Sequence, residues 1–497
     1  MSHRAAVTSL LIVAAGVAAA FAVGVVAEQA MGLERLAVAA IVVTVIGIVF
    51  AVRLPEGLAS FGVAALLGEP VNHWTGLDIR YLDEVGLPML VVVALVVHRR
   101  RLRIPAPGVT ELGLVVFIVA GVAASLLNEV PAAIWIPALV LVGKGVAFFY
   151  VVRCLDLDLG EVRRLGGSVV AIGLAITIIG LIQFVNPLWA EQALGLPPTG
   201  QPRGSINVVG SVFTHPAVYG WLTAFISLFM YARFAVLRDR VALLLALVAN
   251  LGTLLSGRRS PLIGVLVGLL VGAVRQVTAG HRLGRAWAIV GAAVLLVLAA
   301  SVPILGDFYG ATLERYGARP QVIAEVFADE PDARVVAELQ PRVALYAGSV
   351  AIARDEIPLG AGFGRFGSHM SRESYSPLYE AYGLHRTYGL REANPRAVTD
   401  TFWPMILGET GVVGLLGALV FVGGLWVRLW RAAASDAAPE VRAFTLGALL
   451  VFTEGLVRSL VSPVLVAPPI AYFVFGALAL ALALEDQHAR HDHQQVK

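Results

Sequence analysis

The strongest constraint on this chain is a repeated one: apolar runs, many of them about 17 to 25 residues long, which is the length a helix needs to cross a hydrocarbon core of about 30 Å. They cover residues 8–27, 36–52, 85–97, 109–127, 134–152, 166–185, 217–234, 241–255, 261–274, 286–304, 402–426, 443–461 and 464–484. Inside a bilayer the backbone must satisfy its own hydrogen bonds, so only helices or a closed barrel can span it. A barrel would show strict period-two alternation, which these runs lack. The reading is an all-α polytopic membrane protein of about 12–14 transmembrane helices. Composition agrees: 58% of residues are hydrophobic and 14% charged, against about 25% charged in a soluble domain. The first run exceeds the about 7 to 15 apolar residues of a signal peptide and reads as a retained span. Residues 58–67 form a shorter run, either a tilted span or a re-entrant piece.

The net charge of +3 does not point to nucleic acid, because the basic residues cluster at the ends of apolar runs, where the positive-inside rule places them. Residues 98–101, Arg163 with Arg164, Arg233 with Arg238 and Arg240, Arg275 with Arg282 and Arg285, and Arg428 with Arg431 mark alternate loops as cytoplasmic. Three loops are left outside: residues 186–216, the turn 256–260 and the long stretch 306–400. With a cytoplasmic N-terminus, residues 58–67 must cross, which favours an even number of spans. The chain then divides into N-terminal helices (1–185), central helices with the outer loop and the Arg258/Arg259 turn (186–304), a large extracytoplasmic loop (305–400), C-terminal helices (401–485) and a cytoplasmic tail (486–497). Cys154 is the single cysteine, so there is no internal disulfide and no four-cysteine zinc site.

Several residues could carry chemistry. Arg258 and Arg259 occupy an outside turn that the positive-inside rule disfavours; a guanidinium fork suits phosphate oxygens, and snorkelling to lipid headgroups is the competing account. The long loop adds further arginines, Arg386 and Arg396 among them, and ends at Asp400. That carboxylate stands where loop meets membrane: it could take a proton from a hydroxyl, or cap the helix beginning near Thr401. Within the spans Lys144, Glu409, Glu454 and Arg458 are ionisable. Glu454 and Arg458 are spaced for an ion pair on one helix face; Lys144 needs an acidic partner on another helix. No P-loop, HExxH or Gly-x-Ser-x-Gly is present, the histidines are scattered, and no metal or cofactor is inferred.

Four pieces taken together resemble the O-antigen ligase and polymerase family. Arg342 and Tyr346, followed by Pro358-Leu359-Gly360-Ala361-Gly362-Phe363-Gly364-Arg365-Phe366, resemble its arginine and glycine-rich loop. Asp400-Thr401 leading into Leu407-Gly408-Glu409-Thr410-Gly411 is similar to its "His-Asn or Asp-Asn, then Ala-Glu-x-Gly" helix. Gly210 to Pro216, with His215, and the turn Ser256 to Ser260 are similar to two upstream turns. The likeness covers residues 210–414. It implies a GT-C-type, metal-independent, inverting glycosyltransferase of the bacterial cytoplasmic membrane with its active site outside. The donor would be a glycan on a polyprenyl diphosphate and the acceptor a glycan or lipid hydroxyl; membrane lipids and a chain-length regulator are further partners. By this resemblance Asp400, Arg259 and Arg342 would be catalytic. Arg258, Arg203, His215, Gly362, Gly364, Arg386, Arg396 and Glu409 would bind substrate. Arg203 lies several residues from its motif position, which Asn207 occupies, and Asp400 and Thr401 replace the histidine and asparagine of ligases. Polymerisation of repeat units is therefore preferred to ligation of finished glycan. A lipid-linked glycan transporter would depend instead on midplane charges such as Lys144 and Glu454, and a non-catalytic scaffold on neither set.

Overall fold

The structure, a computed structural model, describes residues 33–76, 82–198, 200–203, 206–279, 285–299, 340–435 and 437–495. The run at residues 8–27 and the segment 301–339 lie outside them. The N-terminal part contains α1 (Leu33–Val52), α2 (Leu54–Thr75), α3 (Leu82–Val96), α4 (Val109–Leu127), α5 (Ala132–Cys154), α6 (Leu159–Val185) and α7 (Pro187–Leu194). A two-stranded antiparallel hairpin, β1 (Gly200–Arg203) and β2 (Ile206–Val208), precedes α8 (Pro216–Leu237), α9 (Arg240–Leu255), α10 (Arg259–Thr278) and α11 (Arg285–Ala299). The long loop carries α12 (Pro341–Asp355), α13 (His369–Glu373) and α14 (Leu378–Ala381), and the chain ends in α15 (Trp403–Ala432), α16 (Pro439–Ser459) and α17 (Ile470–Gln495).

The protein is an all-α polytopic membrane protein. Among the described residues seven helices, α4, α5, α6, α8, α10, α15 and α17, are long and apolar enough to cross a bilayer. That is fewer than the 12–14 expected. Part of the difference has a chemical cause: α2 and α16 are 22 and 21 residues long, but Glu56, Glu69, Glu440, Arg442, Glu454 and Arg458 dilute their hydropathy. Both nevertheless run between the two ends of the bundle. Glu56 meets Arg164 at 3.5 Å near the start of α2, and Trp74 near its end donates to the Gly195 carbonyl at 2.9 Å. The segment 58–67 is thus the middle of a helix that rises about 33 Å, and not a re-entrant piece.

The two ends differ in chemistry. At one, the basic end, Arg101 pairs with Glu161 (3.0 Å), Arg103 with Asp156 (3.0 Å), Arg153 with Asp486 (2.6 Å) and Arg163 with Glu440. Asp158 caps α6 and Asp239 caps α9 there, each carboxylate accepting first-turn amides. At the other, the loop end, Val209 N–H donates to the Leu255 carbonyl (3.0 Å), Gln183 to the Pro197 carbonyl (2.9 Å) and Tyr346 to the Leu460 carbonyl (2.8 Å). Residues 186–216, the turn 256–260 and the described part of the long loop therefore share one end, opposite the arginine clusters.

Residues 340–400 are an ordered cap, not a loose connection. Leu345, Ile352, Phe366, Tyr379, Leu384, Leu390 and Val398 form an apolar core of their own. Tyr379 stacks on Phe366 (centroids 5.6 Å apart), and its hydroxyl accepts the Gly367 N–H at 2.9 Å. The cap sits on α15, which is fixed in turn against α4 by small residues: a Cβ on Gly113 would meet the Gly417 carbonyl at 2.7 Å. Such close backbone approach is how helices associate where lipid offers no hydrophobic drive.

Both expected problems of buried charge are solved within the helices. Glu454 and Arg458 pair at 3.4 Å, almost fully buried. Lys144, 7% exposed, contacts Asp83 at 2.7 Å and Glu84 at 3.5 Å from α3, and the Tyr472 hydroxyl of α17 donates to the same Asp83 oxygen at 2.7 Å.

Candidate functional site

Four separate segments meet at the loop end. Arg342 lies in the first turn of α12, begun by Pro341, and its guanidinium reaches Asp400 Oδ2 at 3.3 Å. Asp400 does not cap the following helix: α15 begins at Trp403 with Phe402 before it and no side-chain cap. That leaves its carboxylate to Arg342. Burial pushes the Asp400 carboxyl above the usual carboxylate range, while the positive charges of Arg342 and Arg258 pull it back; at 40% side-chain exposure, water screens part of both effects.

Arg258 precedes α10 in the tight turn closed by Gly257, whose φ of +59° favours glycine and whose Cβ would meet Val208 Cγ2 at 2.8 Å. The hairpin thus lies directly on this turn. One Arg258 nitrogen is 3.4 Å from His215 Nε2, and His215 Nδ1 accepts the Ala217 N–H at the start of α8. The Arg258 guanidinium has a fork of donors of the kind that suits an anionic oxygen. Arg259, next in sequence, opens α10.

The two glycine-rich stretches form one joint. Gly411 (φ +62°, ψ −164°) interrupts α15, and the loop at residues 358–366 docks into the break: Ala361 N–H donates to the Gly408 carbonyl and Gly362 N–H to the Glu409 carbonyl, each at 2.9 Å. A Cβ on Gly360 would meet Gly411 N at 2.5 Å. The Glu409 carboxylate, 1% exposed, accepts the Phe366 N–H at 3.1 Å and also the amides of Gly364 and Arg365 and the Ser368 side chain. Asn128 at the end of α4 donates to the Gly360 carbonyl (2.9 Å), and Ser125 Oγ accepts the Phe363 N–H (2.9 Å).

Among the candidate residues named from sequence, Asp400, Arg342, Arg258 and His215 converge, with Arg259 adjoining. Glu409 is an anchor for the glycine-rich loop and not a ligand-facing group, because loop donors surround its carboxylate. Gly362 and Gly364 have positive φ and pack tightly on Ser125 and Ile134, so they permit close contact and present no surface. Arg396 is held by Tyr388, to whose hydroxyl it donates and over whose ring it lies at 5.2 Å. Arg386 sits in a short 3-10 turn, Leu384–Arg386, and its carbonyl accepts from Arg391 at 3.2 Å. Arg203 belongs to β1, with its side chain outside the described residues. Thr401, which replaces the asparagine of ligases, is fully buried. The anchoring parts of Asn128 and Ser125 carry no local sequence signal beyond a polar residue at the end of an apolar run.

No protein-family model matches this chain, and comparison with curated proteins finds no match.

Proposed function

We propose that the protein is a membrane glycosyltransferase of GT-C type acting on polyprenyl-diphosphate-linked glycans at its loop end, which the positive-inside rule assigns to the extracytoplasmic side of a bacterial cytoplasmic membrane. The observation that carries the reading is the convergence of Arg342, Arg258, His215 and Asp400 from four segments at the membrane boundary. Cationic donors in excess over one half-exposed carboxylate suit a diphosphate that must lie at that boundary because its lipid tail does. In the reaction, an acceptor hydroxyl oxygen attacks the anomeric carbon from the face opposite the leaving group. The bond from that carbon to the diphosphate oxygen breaks, the electron pair leaves with the carrier diphosphate, and the configuration inverts.

The geometry suggests how the site is primed. Arg342 neutralises Asp400 when no donor is bound. A diphosphate competing for Arg342 removes that partner and raises the basicity of a carboxylate already lifted by burial. Asp400 then takes the proton of the attacking hydroxyl or orients it, while Arg342, Arg258 and Arg259 stabilise charge developing on the leaving diphosphate. Polymerisation of repeat units on the lipid is the preferred outcome, with ligation of finished glycan to another acceptor as its counterpart.

The test is to incubate the purified chain in nanodiscs with a polyprenyl-diphosphate glycan extract, beside Arg259→Ala, Arg342→Ala and Asp400→Ala. A ladder of longer lipid-linked glycans, absent in the variants, identifies a polymerase; release of glycan from the lipid to another acceptor identifies a ligase. Folded protein that makes neither product, with variants that still complement a deletion strain, overturns the catalytic reading.

A further inference from the structure

A large cavity lies away from the Asp400 cluster. It has a volume of about 570 Å³ and opens among α2, α5, α6, α8, α16 and α17, within the range of about 300–1,000 Å³ typical of small-molecule sites. Its polarity is graded. Arg163, Arg233 and Glu440 line it toward the basic end, and the remaining lining is overwhelmingly aliphatic and aromatic. On α6 the lining runs from Leu159 to Ile172, a rise of about 20 Å. That is the depth of a single leaflet, half of the about 40–45 Å that a bilayer measures with its interfacial regions.

The wall is open along α6. A Cβ on Gly166 or Gly167 would meet nothing within 4 Å, and one on Gly62 would only touch Phe473 at 3.7 Å. An apolar space of this size inside a bilayer is not a place for water, which needs two to four polar partners. Arg233, 45% exposed, gives its Nε–H to Asp239 at 2.8 Å. A guanidinium has five N–H donors, so donors remain for a phosphate at the mouth.

We infer that this cavity holds one glycerophospholipid of the adjoining leaflet, its phosphate at Arg233 and Arg163 and an acyl chain against the Gly166/Gly167 wall of α6. One leaflet of depth, charge at one end only and a glycine-lined apolar interior fit an amphiphile with a phosphate head. They do not fit a soluble anion, which would leave the apolar wall empty; Arg163 is paired with Glu440 and Arg233 with Asp239, so a phosphate would be held by the N–H donors those pairs leave over. The inference is independent of the glycosyltransferase reading, since the site lies at the opposite end of the bundle.

The test uses the full chain, purified in a lipid-free detergent and titrated with phosphatidylglycerol, with bound lipid counted by native mass spectrometry. The parent is expected to retain one phospholipid per chain under activation that strips annular lipid. Gly166→Phe with Gly167→Phe, which fills the open space, is expected to lose it. Arg233→Gln is expected to weaken retention about ten-fold, the scale of one charge-assisted hydrogen bond. Arg233→Gln leaves the apolar wall intact and keeps the test decisive should the glycine variant fold poorly. Absence of retained phospholipid in the parent, retention by both variants equal to the parent, or a parent dimer that excludes lipid would each overturn the inference.

Discussion

Asp400 with Arg342 and Asp83 with Lys144 are both carboxylate–cation pairs, and they are built to opposite ends. The Asp83–Lys144 contact is 2.7 Å, with the side chains 4% and 7% exposed, and Tyr472 closes the carboxylate from a third helix. The Asp400–Arg342 contact is 3.3 Å, with exposures of 40% and 47%, and a further arginine close enough to act on it. Desolvating an ion costs several kcal/mol, so a membrane-buried pair persists only when its members satisfy one another. An exposed pair is worth about 0–1 kcal/mol and can be exchanged for a better partner. The buried set therefore holds the helices, and the exposed set is free to handle a ligand. A transporter would invert these parts, which makes the contrast the place to strike.

The largest effect is expected from Lys144→Ala. It leaves Asp83 buried without its cation, at a cost of about 3–5 kcal/mol, read as loss of monodisperse protein and a lowered melting temperature, with Asp83→Asn on top recovering part of it. Full stability of the single variant would sink the structural role given to this pair. Next comes Arg342→Ala, for which glycan transfer is expected to fall about 10²- to 10³-fold, the scale of removing one donor from a developing anion. Its melting temperature should scarcely move, because only an exposed pair is lost. Equal transfer by variant and parent would erase the distinction between the two pairs.

A smaller effect is predicted for Glu409→Ala, which removes the acceptor of loop amides in the Gly364–Phe366 stretch. About 2–3 kcal/mol of local stability should be lost, seen as faster amide exchange across residues 360–367 while the bundle stays protected. The smallest is a pH effect at Asp400. Its folded pKa is raised, so its contribution to stability is present below the unfolded value and lost as pH rises through the folded one. Proton acceptance requires the ionised form, so transfer should rise with pH across the window in which this slight stability declines. A transfer profile that falls with pH there would remove Asp400 from the role of base.

Much of the cap was legible as a region but not as a structure. Its aromatic content argues for order, and the pairs that deliver order, Tyr379 on Phe366 and Tyr375, follow from a packing that no local pattern encodes. Glu409 shows the same limit from the other side. Its place in an apolar run makes it conspicuous, yet whether it faces a ligand or a loop depends on the docking of residues 358–366 into the Gly411 break. Asp400 offered two local roles, cap and acceptor, that could hold together, and the helix start at Trp403 removes the cap.

What the sequence by itself determined is the solvent and the division into two ends: apolar runs of bilayer length require helices, and clustered arginines separate two sets of loops, because transfer free energies are sums over residues and need no partner. What only the tertiary structure decided is which charges meet. Lys144 finds Asp83 on α3, Arg342 finds Asp400 at the far end of its own cap, and His215 lies beside Arg258, because ion pairs and hydrogen bonds act over a few ångströms between residues that the chain holds tens of positions apart.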